Sequence, residues 1–268
     1  MTNTDRVLFI TQEIAPFVAS SEMADICRNL PQTVQENGRE IRVFMPKWGT
    51  VNERRNQLHE VIRLSGINII IDDTDHQLII KVASIQSVRI QVYFIDNDDY
   101  FQNRLQLMDE EGNEYDDNDE RIIFYDRGVL ETVKKLRWRS DIIHCHGCVT
   151  ALTPLYIKKS YCDEPSFMNS KIVYSLYDKE FNNAFPESFT NKLMVKGVEK
   201  DDLSTLTDPV DFIQLNKLAI DYADAIVQQT QGVDPELIEY AKQSGKPFLP
   251  YQEENMMQAV SDFYDTLL

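Results

Sequence analysis

Basic residues are scarce in this chain. Its 268 residues carry 27 Lys and Arg against 44 Asp and Glu, a formal net charge of −17. A chain without surplus cations cannot displace counterions from a phosphate backbone, so nucleic-acid binding is not expected. The same balance argues against anionic membrane surfaces. No apolar run approaches the ~18–20 residues of a spanning helix. The opening stretch "MTNTDRVLFITQEIAP" has no basic region followed by a long apolar core, so no signal peptide is expected. Cysteine is sparse too: Cys27, Cys145, Cys148 and Cys162 are too few for a disulfide framework in a chain this long. A reducing, cytoplasmic compartment is the simplest reading. A glycine-rich phosphate cradle, a serine or cysteine nucleophile signature and an obvious carboxylate pair are all missing.

What is present is an alternation of strand and helix signals. Hydrophobic residues make up 43% of the chain, enough for a sizeable core. "RVLFIT" (6–11) is a buried-strand run, and Met23, Ile26, Cys27, Leu30 and Val34 follow at helical spacing, with Gly38 where a helix stop is expected. "REIRVFMP" completes a β-α-β unit with a parallel pair. Residues 60–95 then offer three strands with no helix between them, an antiparallel β-hairpin insertion with turns at "DDTD" and "QS". "QLMDEEGNEYDDNDE" (106–120) reads as a solvated, mobile acidic loop. Helix and strand then alternate again. The last stretch, 253–268, puts Met256, Val260, Phe263 and Leu267 on one face of a docking helix. The expected fold is α/β: one Rossmann-like, doubly wound, mostly parallel sheet with the antiparallel insertion, in a single domain over 1–268.

In such sheets ligands sit beyond the C-terminal strand ends, and three ends stand out. The first is "QEIAPFVASSEMAD" (12–25). Ser20 or Ser21 caps the helix, and Glu22 and Asp25 place negative charge on its positive end. Those carboxylates occupy the spot an anion would take. The second is "HCHGC" (144–148). Alternation sends His144 and His146 to one face and Cys145 to the other, and no second Cys/His cluster exists to complete a metal site. No metal and no cofactor are expected. His146, with Gly147 opening the turn, is the candidate to face the crevice. A hydrogen-bonded structural histidine fits the same residues. The third is "SLYD" (175–178), where Tyr177 and Asp178 are candidates and a simple turn is the alternative.

Six segments stand out together: "RVLFITQEIAPF", "REIRVFMPKWG", "VYFIDNDDYF", "DNDERIIFYDRGVLE", "DIIHCHGCVTAL" and "NKLAIDYADAIV". In their order and spacing the chain, to about residue 235, resembles the N-terminal half of bacterial glycogen and starch synthases, retaining glucosyltransferases of glycosyltransferase family five. The resemblance implies one half of a GT-B fold. In that fold two Rossmann-like domains face a cleft, the nucleotide-sugar (usually ADP-glucose) lies mainly on the second domain, and the glucan acceptor approaches from the first. It also implies that the second domain would follow where this chain ends.

The resemblance carries Glu13, Asp117, Arg121, His146 and Lys217 over as retained positions. It also marks departures. The family's Lys-x-Gly-Gly donor loop corresponds here to Ala19, Ser21 and Glu22, so the lysine is replaced and a carboxylate stands near the phosphate position. The Asp-Trp after the histidine is Gly147 and Cys148, a family histidine is Tyr177, and a family serine is Gln228. No catalytic residue is therefore assigned. Glu13, Asp117, His146, Tyr177 and Asp178 remain as a remnant ligand crevice. The reading favours a non-catalytic binding or regulatory relative in α-glucan metabolism, partnered by an α-glucan or by an enzyme of glycogen metabolism. The alternatives are an active glucosyltransferase that completes its cleft with a partner chain, and a homodimeric assembly protein with a vestigial crevice.

Overall fold

The structure is a computed structural model that describes residues 4–268. β1 (Arg6–Thr11), α1 (Glu22–Glu36) and β2 (Glu40–Pro46) form the β-α-β unit. β3 (His59–Glu60), β4 (Ile67–Ile71), β5 (Thr74–Ile85) and β6 (Ile90–Asp96) follow with no helix between them. Alternation resumes through α2 (Asn118–Leu136), β7 (Ile142–His146), α3 (Thr153–Lys159) and β8 (Lys171–Leu176). The chain closes with α4 (Phe189–Lys192), α5 (Phe212–Tyr222), β9 (Ala225–Gln228), α6 (Pro235–Gln243), β10 (Phe248–Leu249) and α7 (Met256–Asp265).

The strands form one sheet in the order β10-β9-β8-β7-β1-β2-β6-β5-β3, with β4 paired to β5. Neighbours from β10 to β6 are all parallel, and β5 runs antiparallel to β6, β3 and β4. The chain winds outward from β1 to β2 and β6, then returns to place β7 on the other side of β1. That reversal makes the β1/β7 edge the topological switch point, where doubly wound sheets hold ligands. Helices α1 and α7 pack together, while α2, α3, α5 and α6 form a second contiguous group.

Local physics accounts for these elements. Val7, Leu8, Phe9 and Ile10 are fully buried, as a strand covered on both faces requires. The α1 stripe Met23, Ile26, Cys27, Leu30 and Val34 is buried along its length. Ser21 caps α1 by accepting from the Ala24 amide at 2.9 Å.

Three sequence expectations need correction. Residues 61–66 are not strand: they turn at Ile62–Leu64 and are joined to β5 by the Val61 amide to the Ile80 carbonyl and the Gly66 amide to the Leu78 carbonyl. The insertion also shares a strand with the core: β6 ends the hairpin yet pairs in parallel with β2, Val43 opposite Val92. Finally, α7 is rotated from the expected face. It buries Met256, Val260, Ser261 and Tyr264, whereas Phe263 and Leu267 are half-buried. Tyr264 decides this rotation, because its hydroxyl meets Nδ1 of buried His144 at 2.6 Å. Tyr264→Phe is expected to lower unfolding stability by about 1 kcal/mol, since that ring nitrogen then lacks its partner. Urea melts of the two proteins measure it, and identical midpoints would count against the bond. Among the described residues no helix is long and apolar enough to cross a membrane.

Candidate functional site

A cavity of about 470 Å³ opens where the switch point predicts one, at the C-terminal ends of β1 and β8. Gln12 and Glu13 come off β1, Ser21 to Met23 start α1, Tyr177 to Glu180 leave β8, and Leu105 to Asp109 form the far wall. Its lining holds five carboxylates (Glu13, Glu22, Asp109, Asp178, Glu180) and one cation, Lys179. Gln12, Met23, Leu105, Leu107 and Tyr177 add amide and apolar surface.

Each wall has a local cause. Glu13 accepts a 2.5 Å hydrogen bond from the Ser21 hydroxyl, so the helix cap and the cavity share one side chain. Burial holds the Glu13 carboxyl above its usual range, against the pull of that hydrogen bond. At the end of β7, Gly147 has φ +88°, and a Cβ there would strike the Gln12 side chain. The sharp turn it allows presents the Cys148 amide to Glu180 Oε1 at 2.8 Å. The other oxygen, Glu180 Oε2, is buried without a hydrogen-bond partner. Burial pushes the Glu180 carboxyl up to about 7, opposed by the Cys148 amide and by the neighbouring Cys148 and Gln12 side chains, with Glu13 adding a smaller rise.

The structure separates the residues expected in the crevice. Glu13, Tyr177 and Asp178 line the cavity; Asp178 also accepts from the Thr230 hydroxyl at 2.7 Å. Ser21 and Glu22 line it too, whereas Ala19 is exposed outside the lining. His146 does not reach the cavity. It is fully buried with Nδ1 2.8 Å from the Tyr177 hydroxyl, and burial pushes its pKa down to about 3. Strand alternation rightly pairs it with His144, their ring centroids 3.9 Å apart, but Tyr177 closes over His146. His144 spends its two nitrogens on the Tyr264 and Ser175 hydroxyls.

Asp117 lies outside the lining as well, held by Arg104 at 2.7 and 2.5 Å. Burial opposes its ionisation, but the guanidinium outweighs burial and holds the carboxyl low. Arg121 is buried and donates to the carbonyls of Tyr100 (2.9 Å), Leu105 (2.7 Å) and Gln106 and to Asn118 Oδ1 (2.8 Å). These two residues anchor the loop that walls the cavity. The loop is thus pinned through buried Leu107 and does not lie free in solvent as its acidic composition suggests. Lys217 pairs with Glu236 at 2.6 Å, away from the cavity.

Sequence reasoning missed Gln12, Lys179, Glu180 and the loop wall. Glu180 lies only two residues past Asp178 in the same strand-end segment, and the apolar residues of "LQLM" interrupt the acidic loop. Both signals were available.

The family model for the starch synthase catalytic domain matches residues 6–245. The chain belongs to this family. This starch synthase-type domain is 36% identical over 217 residues to the glycogen synthase of Chlorobium chlorochromatii, covering 78% of this chain and 44% of that protein. With the glycogen synthase of Chlorobaculum parvum it shares 31% identity over 266 residues, 98% of this chain and 52% of the relative. The domain therefore spans about half the length of the curated relatives it matches. Its fold matches the catalytic domain of starch synthase IV from Arabidopsis thaliana bound to ADP and acarbose. The TM-score is 0.74 at 17% identity, covering 92% of this chain and 51% of that one. Of the retained family positions, Glu13 reaches the cavity. Asp117, Arg121, His146 and Lys217 are engaged within the fold.

Proposed function

We propose that this starch synthase-type domain is a non-catalytic binding module that takes an uncharged α-glucan in the cavity between β1, β8 and the 105–109 loop. The observation that supports it most is the lining: five carboxylates, one lysine and an apolar wall. Carboxylates and the Gln12 amide accept hydrogen bonds from sugar hydroxyls, while Met23, Leu107 and Tyr177 suit the apolar faces of a pyranose ring. A pyrophosphate meets the opposite situation. At ~6 Å and an effective dielectric of ~20, each ionised carboxylate facing a phosphate charge costs about 3 kcal/mol, and Glu180, its carboxyl pushed up to about 7, adds less than the others. Transfer from a nucleotide-sugar needs cations at the leaving diphosphate, and Lys179 is the one cation in a lining that holds five carboxyl groups. Of the two molecules in the Arabidopsis structure, ADP is the one this charge opposes.

The test is calorimetric titration of maltoheptaose and ADP at pH 7, with a transferase assay beside it. Maltoheptaose is expected to give a saturable heat and ADP none. Asp178→Ala should weaken the sugar about tenfold, the loss of roughly one charged hydrogen bond. Steady transfer of glucose from ADP-glucose to glycogen by the purified chain would overturn the non-catalytic reading, and absence of any sugar heat would overturn the binding one.

A further inference from the structure

The N-terminal edge of the sheet, opposite the candidate site, carries the reverse charge. There α2 ends at Leu136, Arg137 takes a left-handed conformation (φ +52°), and "KKLRWR" leads into β7. Lys134, Lys135, Arg137 and Arg139 are all exposed and line a groove of about 630 Å³, closed by Ile67 and the 164–166 turn.

Little neutralises this cluster. Lys134 is 3.6 Å from Glu131, and Lys135 reaches only the Leu64 and Ser65 carbonyls at 3.4 Å. Among the described residues Arg137 and Arg139 have no carboxylate within ion-pair distance. Helix-dipole complementation accounts for the two lysines, which sit in the last turn of α2. It does not account for Arg139, which lies beyond the helix.

The groove's chemistry restricts its occupant. Glu131 and Glu164 share the lining, which disfavours a compact phosphate. Exposed apolar groups flank it: Ile62 is 82% exposed, in the segment whose carbonyls hold Lys135, and Met168 is 56% exposed, just past Ser166. An extended acidic segment with apolar residues fits such a surface. The chain itself carries one at the other edge of the sheet. In "MDEEGNEYD" (108–116), Glu110, Glu111 and Asp116 are exposed beside half-buried Met108 and Tyr115. A Met108–Glu114 bridge and Asp109 bonds to the Glu111 and Asn113 amides preform the loop, which lowers the ordering cost of binding.

We infer that the basic groove docks the acidic 108–116 loop of a second copy of this chain, a head-to-tail contact. The net charge repels two copies at long range, but screening within ~8 Å at physiological salt leaves the local contact to decide. This holds whatever the cavity binds.

The experiment is analytical ultracentrifugation of the full chain from 10 to 500 μM (these concentrations are about the range where weak contacts populate). Self-association is expected at physiological salt (~0.15 M), where the net repulsion is screened, and should weaken at least tenfold near ~1 M, where the local ion pairs are screened too. Arg137→Glu/Arg139→Glu and Glu110→Arg/Glu111→Arg should each sediment as monomers, with circular dichroism and melting unchanged because all four positions are exposed. Mixed one to one, the two charge-reversed proteins should associate again. A wild-type protein that stays monomeric at physiological salt, association that survives either reversal, or a mixture that fails to associate would each overturn the contact.

Discussion

Replacing Glu180 by glutamine is expected to raise unfolding stability by about 2 kcal/mol at pH 8 and to change it little at pH 5. The Glu180 carboxyl is buried, with one oxygen on the Cys148 amide and the other without a partner, and its pKa is pushed up to about 7. An unfolded glutamate titrates near 4.3. The sign follows from linkage. Between these values the folded protein holds a proton that the unfolded chain has released, so stability falls as pH rises. The contribution is complete below the unfolded pKa and lost as pH passes through about 7. A gap of roughly 2.5 units at 1.36 kcal/mol each corresponds to about 3 kcal/mol. Glutamine is neutral throughout and escapes this loss. Its amide nitrogen meets the site where Oε2 has no partner, which takes back roughly 1 kcal/mol. Glu13 and Asp119 are also raised by burial, so a slope of the same sign persists in the variant. Repulsion among the excess acids is common to both proteins and cancels in the difference. Urea unfolding of both at pH 5, 6, 7 and 8 is the measurement. A stability difference that does not vary with pH would give Glu180 an ordinary carboxyl.

Where the sequence carried a periodic apolar signal, it located the element. β1, α1 and β2 all show such runs: β1 from Val7 and the α1 stripe are buried, and β2 is buried from Val43 onward. Caps were legible for the same reason: Ser21 is a good acceptor, and Gly38 takes the positive φ that ends α1. The errors arise where a polar group or a distant contact decides. The face of α7 is set by a hydroxyl reaching His144, 120 residues away, which no local spacing encodes. His146 sits on the expected face of its strand, but Tyr177 from the adjacent strand seals it off. The acidic loop misled through composition, because a single buried leucine and a buried arginine below it outweigh its charges. The site was legible at Glu13, Ser21, Glu22, Tyr177 and Asp178, all at strand or helix ends. Glu180 shares the strand-end segment of Asp178, but its role was not legible, because it depends on the Cys148 amide that the turn after β7 presents.

Arg121→Met is expected to cost about 3 kcal/mol of unfolding stability and to abolish ligand binding in the cavity together. The thioether fills much of the same volume, so the loss is not mainly one of packing. It comes from three carbonyls, those of Tyr100, Leu105 and Gln106, that share this guanidinium as donor. Each carbonyl left without a partner in the interior costs ~1–3 kcal/mol, and partial solvation of the loop returns some of that. Trp48, Phe101 and Tyr115 also lie against the guanidinium, with centroids at 5.1, 5.7 and 4.8 Å. Burial lowers the arginine pKa to about 9, so the group remains charged at neutral pH and its donors stay in place. The loop it holds supplies Leu105 to Asp109, one whole wall of the cavity. Asp117 supports the same wall through Arg104, and Asp117→Asn should loosen it with a smaller loss of stability. Thermal melts and maltoheptaose titrations on the three proteins separate the two effects. If Arg121→Met keeps full affinity while losing stability, the loop holds its shape without the anchor, and the cavity depends on other contacts.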